Sequence, residues 1–439
     1  MEILMITPES PPLQPAFLRQ DEVFAAAFSI LQEAIQHRAF PAASIAVTYR
    51  GQLVALKALG RFTYDAGAPS LSSRPLRRQG GDFDVEFAAP NAGTPSFASF
   101  TKGGQGAVHP STLFDLASLT KVIATTPMAM LLYERGLLDL DAAVSAIIPE
   151  FTNDREKDPR RHEVTVRMLL THSSGLPAYE NLFLKARTRA ELLQAAFTTP
   201  LAANPATRAE YSDVGFIVLG AAVERLADES LDRFCQREIF APLAMINTTF
   251  NPPTEIRTQI PPTADERKEG ECGSGALARE TPVQHDLRGV SQQPRSTFRR
   301  RIIQGEVQDE NASVLGGVAA HAGLFSTAAD LAKFAHAMLN RGRPILRPET
   351  VALFTRRESA PPGTSRALGW DTPSSPSQSG KYFSPLSFGH LGYTGTSLWI
   401  DPVRQLSITL LTNRTWPDCS NHAIKQIRPE FHDAVIEAL

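Results

Sequence analysis

The chain has 439 residues, 42% of them apolar and 21% charged, so it can bury a large core, which excludes disordered, collagenous and small disulfide-stapled classes. Forty-four basic against forty-six acidic residues give a net charge of −2, far from the basic surplus that neutralises a nucleic-acid backbone, and no nucleic-acid partner is expected. The three cysteines, Cys235, Cys272 and Cys419, are too sparse for a disulfide framework and lack the short spacing of a structural zinc site, which fits a reducing compartment.

In chain order, residues 1–14 carry Glu2 where a secretory signal needs basic residues. A cytoplasmic location is therefore expected, or a periplasmic one if the true start lies upstream. Residues 21–40 place Val23, Phe24, Phe28, Leu31 and Ile35 near a 3.6 period and predict a helix that covers a sheet. Runs 43–49 and 52–59, joined at Arg50-Gly51, predict a hairpin. Between 63 and 111 the composition turns to Gly, Pro, Ser and Ala, a loop-rich insertion. A helical pattern over 116–140 is interrupted at Pro127, whose ring clashes with the carbonyl of Ile123, so a kink or a split is expected. Its apolar run, 122–133, is twelve residues, well short of the ~20 of a spanning helix, and no membrane span is expected. Further helices are predicted at 166–171, 189–196, 213–226 and 231–240, and a second loop-rich insertion at 266–301, whose cluster Arg299, Arg300 and Arg301 reads as a solvated face. A helix at 328–340 is capped by Ser326 or Thr327, strands follow at 397–401 and 406–411, and a helix at 423–439 closes the chain. Strands at both ends around a helical middle predict an α+β fold. It consists of an antiparallel sheet flanked by helices, built from 21–125 and 300–439, with an all-helical lobe from 126–299 inserted.

The Walker P-loop, the H-E-x-x-H zinc helix and the G-x-S-x-G nucleophile elbow are absent from the sequence. An S-x-x-K pattern, which sets a hydroxyl and an amine one helical turn apart on one face, occurs twice, as Ser99 to Lys102 and as Ser118 to Lys121. Glycines follow Lys102 and would not sustain a helix, whereas Val122, Ile123 and Ala124 follow Lys121 and would bury one. Ser118 and Lys121 are therefore the candidate nucleophile and its activator, at a helix start where backbone amides and the dipole stabilise negative charge.

The segment 114–121 (Phe-Asp-Leu-Ala-Ser-Leu-Thr-Lys) resembles the first motif of the serine β-lactamase and penicillin-binding protein superfamily. The closest likeness is to class C β-lactamases, D-alanyl-D-alanine peptidases and family VIII carboxylesterases. Segment 169–177 (Leu-Leu-Thr-His-Ser-Ser-Gly-Leu-Pro) is similar to the family's loop after a helix, Tyr211-Ser212-Asp213 to its Tyr-x-Asn motif, and His390-Leu391-Gly392 to its Lys-Thr-Gly strand. A further stretch, 305–326, is similar to a subgroup of penicillin-binding carboxypeptidases. From its residues, Asp309 and Glu310 read as caps or braces of a turn and His321 as a core histidine satisfied by backbone.

The resemblance implies an acyl-enzyme on Ser118, with Lys121 easing or taking the serine proton. It implies Tyr211 as general base, working as a phenolate beside a cation, and an oxyanion hole from the amides of Ser118 and Tyr393. Asp213, His390, Gly392 and Tyr393 would bind substrate. Two departures stand out: Asp213 replaces the family's Asn and adds negative charge near Lys121, and His390 replaces its Lys. Histidine, with an unperturbed pKa near ~6.5, is only partly cationic at neutral pH and would weaken carboxylate binding as pH rises. The expected activity is a serine hydrolase for D-alanyl peptides or small acyl esters, with no metal and no organic cofactor. A promiscuous carboxylesterase and a non-catalytic peptide-binding scaffold are the alternatives. The sequence carries no signal for oligomeric state.

Overall fold

A computed structural model describes residues 11–64, 106–152, 158–267, 298–417 and 419–439. Most of the two expected insertions, with Ser99 and Lys102, lies outside these residues.

The main sheet is six-stranded and draws its strands from both ends of the chain. Strands β1 (Gln14–Pro15), β2 (Ala42–Tyr49) and β3 (Gln52–Gly60) come from the N-terminal part. Two small sheets follow, formed by β4 (Phe114–Asp115), β5 (Thr249–Phe250) and β8 (Leu324–Ser326), and by β6 (Ala264–Asp265) and β7 (Ile302–Ile303). Strands β9 (Phe388–Leu391), β10 (Ser397–Asp401) and β11 (Leu406–Thr412) complete the main sheet, in the order β1-β3-β2-β11-β10-β9. Only the β1 to β3 pairing is parallel. The registers Ile45↔Leu410 and Val47↔Ile408 bring apolar side chains from the two chain ends opposite each other.

Both faces of this sheet are covered, so the polar residues that alternate along β2 and β11, Ser44, Thr48, Ser407 and Thr409, are buried as well. On one face Ile45, Val47, Ile408 and Leu410 pack against the helices Ala25–Gln36 and Ile424–Glu437 through Phe28, Leu31, Phe431 and Val435. On the other, Ala46, Leu398 and Ile400 join the larger core with the helices Thr126–Glu134 and Ala328–Leu339. The helical pattern expected over 21–40 is two pieces, because the chain breaks at Phe24 between Gln20–Val23 and Ala25–Gln36.

The helix after Ser118 differs from the kinked helix expected. Lys121–Thr125 is a π-helical turn, Thr126 donates to the Lys121 carbonyl, and the regular helix Thr126–Glu134 starts with Pro127 in its first turn. There a missing N–H costs nothing, and the wider turn ahead takes up the register change. The helices Val166–Leu170, Arg189–Phe197 and Asp213–Ala227 pack beside it. A Cβ on Gly220 would meet the Ala320 Cβ at 2.4 Å, so only glycine lets the last of these helices approach the segment that carries His321.

Arg299, expected on a solvated face, is instead buried, with its guanidinium on Glu266 and on the carbonyls of Val307 and Gln308. Cys419 is disulfide-bonded, against the reading of the sparse cysteines, and Cys235 is free and buried. Among the described residues no helix is long and apolar enough to cross a membrane.

Candidate active site

Ser118 sits at the mouth of the buried helix, on a turn that Ala117 enters with φ +46°. A left-handed alanine costs about 1 kcal/mol, and here its amide donates to Asp115 Oδ1 at 2.8 Å. Asp115 Oδ2 accepts the Gln308 amide at 2.7 Å, which ties the turn to the stretch leading into Asp309. Burial pushes the Asp115 carboxyl up to about 6.

The Ser118 hydroxyl lies 2.6 Å from the Tyr211 hydroxyl and accepts from Lys121 Nζ at 3.0 Å. Lys121 is wholly buried and donates two further bonds, to Asp213 Oδ1 at 2.7 Å and to the His321 carbonyl at 2.9 Å. Tyr211 donates to Asp213 Oδ1 at 3.0 Å. Burial lowers the Lys121 ammonium below its ordinary value, opposed by the Asp213 carboxylate. Burial, with Asp213 adding to it, raises the Tyr211 phenol well above its own. Tyr211 is therefore a neutral phenol at rest, not the phenolate that the resemblance implies.

Local sequence explains how Tyr211 and Asp213 are held. Ser212 caps the helix Asp213–Ala227 through the Gly215 amide at 2.9 Å, and its own hydroxyl donates to the Pro177 carbonyl at 2.7 Å. The Ser212 amide donates to His172 Nδ1 at 3.0 Å, and the His172 ring packs on Tyr211 with centroids 4.7 Å apart. His172 is thus a positioning residue within the 169–177 segment, whose role the sequence reading left unassigned.

His321 is bonded by the carboxylate of Asp309, with its Nε2 at 2.8 Å, and not by backbone as expected. Asp309 also caps the helix Glu310–Val314 through the Ala312 amide at 2.7 Å. Glu310 beside it is buried, and its carboxyl is pushed up to about 7 by burial and by Asp309.

The third motif lies on β9 and is stitched to the nucleophile turn. Thr394 and Thr396 donate their hydroxyls to the Asp115 and Leu116 carbonyls at 2.8 and 3.0 Å. A Cβ on Gly392 would meet Thr396 Oγ1 at 2.0 Å and the Leu116 carbonyl at 2.5 Å, which is why glycine stands there. Tyr393 packs with Ala117 in one small buried cluster. His390 donates from Nδ1 to the Leu391 carbonyl at 2.7 Å, and burial lowers its imidazole to about 4. It is neutral at pH 7, which corrects the expectation of a partly cationic histidine. The cation on this side is Arg366, unforeseen from sequence, 5.7 Å from the Tyr211 ring centroid and ion-paired with Asp371. Among the described residues no group of three or more His, Cys, Asp or Glu is placed to hold a metal ion.

A serine hydroxyl bonded to both a lysine and a tyrosine beside a covered sheet defines a serine hydrolase that works through an acyl-enzyme, and similarity to known proteins agrees with that class. The Beta-lactamase family profile matches residues 28–428, and the chain belongs to that family. It is 33% identical over 320 residues to the N-acetylmuramyl-L-alanine amidase of Bacillus subtilis (strain 168), covering 69% of this chain and 68% of that one. It is 32% identical over 327 residues to a protein of Salmonella agona (strain SL483) named "Putative D-alanyl-D-alanine carboxypeptidase", covering 71% of each. In fold it matches the solved structure of "EstCE1, a hydrolase with promiscuous acyltransferase activity" with a TM-score of 0.63 at 19% identity, covering 95% of this chain and 99% of that one.

Proposed function

We propose that Ser118 is the nucleophile of this hydrolase and that its preferred substrates are small, uncharged acyl esters and amides. The observation that carries the reading is the Ser118 hydroxyl held between Tyr211 at 2.6 Å and Lys121 at 3.0 Å. Attack on a carbonyl carbon forms an acyl-enzyme as the serine proton passes toward Tyr211, and the Lys121 ammonium faces the charge that develops. The amides of Ser118 and Tyr393 form the oxyanion hole, with Gly392 keeping that backbone close to Leu116. His390 lines the site from β9.

The preference for uncharged substrates rests on how the site charges are paired. Lys121 is bonded to Asp213, Arg366 to Asp371, and His390 is neutral at pH 7. A substrate carboxylate would have to draw Arg366 from Asp371, which costs part of what the new pair gains. A D-alanyl peptidase is the second reading, favoured by the Arg366 guanidinium beside Tyr211 and by the name of the Salmonella agona relative. Matched nitrophenyl esters with and without a terminal carboxylate, assayed beside release of D-alanine from a D-alanyl-D-alanine peptide, separate the two. The first reading expects the neutral ester to have the higher kcat/KM by about tenfold or more. Faster turnover of the peptide and the anionic ester would overturn it.

A further inference from the structure

The Tyr-x-Asn motif of the family ends here in an acid, Asp213, and the hydrogen bonds give that change a direction. A carboxylate only accepts, so the single Tyr211 proton points to Asp213 Oδ1 at 3.0 Å. The short 2.6 Å contact between the two hydroxyls is then one in which Ser118 donates to Tyr211. Lys121 meanwhile directs its three N–H groups at Ser118, Asp213 and the His321 carbonyl. An ammonium so engaged has no lone pair with which to take a proton.

We propose that Asp213 is the terminal proton acceptor of the reaction, reached from Ser118 through Tyr211, and that Lys121 remains an ammonium that balances charge. The proposal rests on Ser118 being the nucleophile. As Ser118 Oγ bonds to the carbonyl carbon, its proton moves to the Tyr211 oxygen and the Tyr211 proton moves to Asp213 Oδ1. This leaves a tetrahedral oxyanion, a neutral phenol and a carboxylic acid. The reverse relay delivers the proton to the leaving oxygen or nitrogen as its bond to carbon breaks, which restores the carboxylate. In deacylation a water loses its proton along the same path while its oxygen bonds to the acyl carbon, and the proton returns to Ser118 Oγ as the acid is released. An asparagine at 213 could hold Tyr211 and Lys121 in place but could not take the proton.

The titratable groups packed around the relay are engaged with other partners or buried apart from it. His172, from the loop after the helix Val166–Leu170, and His390 on β9 are held neutral by burial. Arg366 and Asp371 pair with each other, and Asp309 is engaged with His321 behind Lys121. Asp115 and Glu310, which are pushed up to about 6 and about 7, do not bond to any member of the relay.

The test follows the rate at which a fluorophosphonate labels Ser118, from pH 5 to 10, in the wild type and in Asp213→Asn. The relay predicts a loss of about 100-fold or more across the whole range, as for removal of a general base, although loss of the Asp213 carboxylate lowers Lys121 further and so offers a neutral amine in its place. A variant that labels at the wild-type rate or faster, its acid limb moved to lower pH, overturns the proposal, because the proton then goes to a lysine released from its carboxylate partner. Asp213→Ala with added formate is the second arm. The relay predicts saturable restoration of labelling, and a rate that formate leaves unchanged overturns it. Failure to label Ser118 in the wild type overturns the nucleophile assignment itself, whereas equal labelling of wild type and Asp213→Asn overturns only the relay.

Discussion

The nucleophile end of the site and the third-motif end follow different rules. At the first, Ser118, Lys121, Tyr211 and Asp213 bond to one another within 3.0 Å, so the groups that move protons are organised before any substrate arrives. At the second, the buried His390 Nε2 has no hydrogen-bond partner. A buried polar atom left unpaired costs about 1 to 3 kcal/mol. His390 Nδ1 carries the proton it donates to Leu391, so Nε2 of the neutral ring offers a lone pair. On the proposed reading, the first end carries the chemistry and the second recognises an N–H or O–H group of the substrate.

The strongest attack on this contrast is Tyr211→Phe, which removes the hydroxyl that joins Ser118 to Asp213. It should lower kcat by about 10²- to 10⁴-fold with KM for a neutral ester little changed, and a loss below tenfold in steady-state kinetics would mean the bonded group is not the engine. A smaller effect should follow Asp371→Asn, which frees Arg366 from its partner. The kcat/KM ratio of anionic to neutral ester should rise about tenfold, and an unchanged ratio would remove Arg366 from recognition. Smaller again is the response to pH at His390. A base lowered to about 4 is neutral above that value, so KM for an anionic ester should be flat from about pH 6 to 8. A step near pH 6.5 would show that the ring is charged in the working enzyme. His390→Lys should gain about three- to tenfold in affinity for the anionic ester.

Glu310→Gln probes the buried acids behind the nucleophile and should leave catalysis nearly untouched. The Glu310 carboxyl, raised from 4.5 to about 7, holds a proton in the folded protein that the unfolded chain has already lost. Wild-type stability therefore falls as pH rises between those two values, by up to about 3 kcal/mol. The glutamine variant should lose less, as read by urea unfolding at pH 5 and pH 8, and parallel curves for the two proteins would contradict the burial of an ionisable group there.

What could be read from the sequence was what depends on near neighbours. The turn and helix that set Ser118 and Lys121 on one face follow from spacing and from the apolar residues after Lys121, and the β2 to β3 hairpin follows from two runs around Arg50-Gly51. Tyr211 and Asp213 were marked by a short motif, and so was the charge that Asp213 brings to Lys121. Arg366 left no local trace. It sits in irregular chain that meets β9 through the isolated bridge Asp371↔Gly389 and the Trp370–Phe388 ring contact, so its approach to Tyr211 is a consequence of tertiary folding. The protonation of His390 and Tyr211 escaped for the same reason, since burial by distant segments sets both. The other S-x-x-K pattern, at Ser99 and Lys102, falls outside the described residues.

The central claim is that Ser118 forms the covalent intermediate, and intact-mass spectrometry with peptide mapping after fluorophosphonate treatment tests it most directly. The wild type should gain one adduct on the peptide that contains Ser118, and Ser118→Ala, with an unchanged melting temperature, should gain none. An adduct that persists in Ser118→Ala, or one that maps to the peptide containing Ser99, would contradict the account.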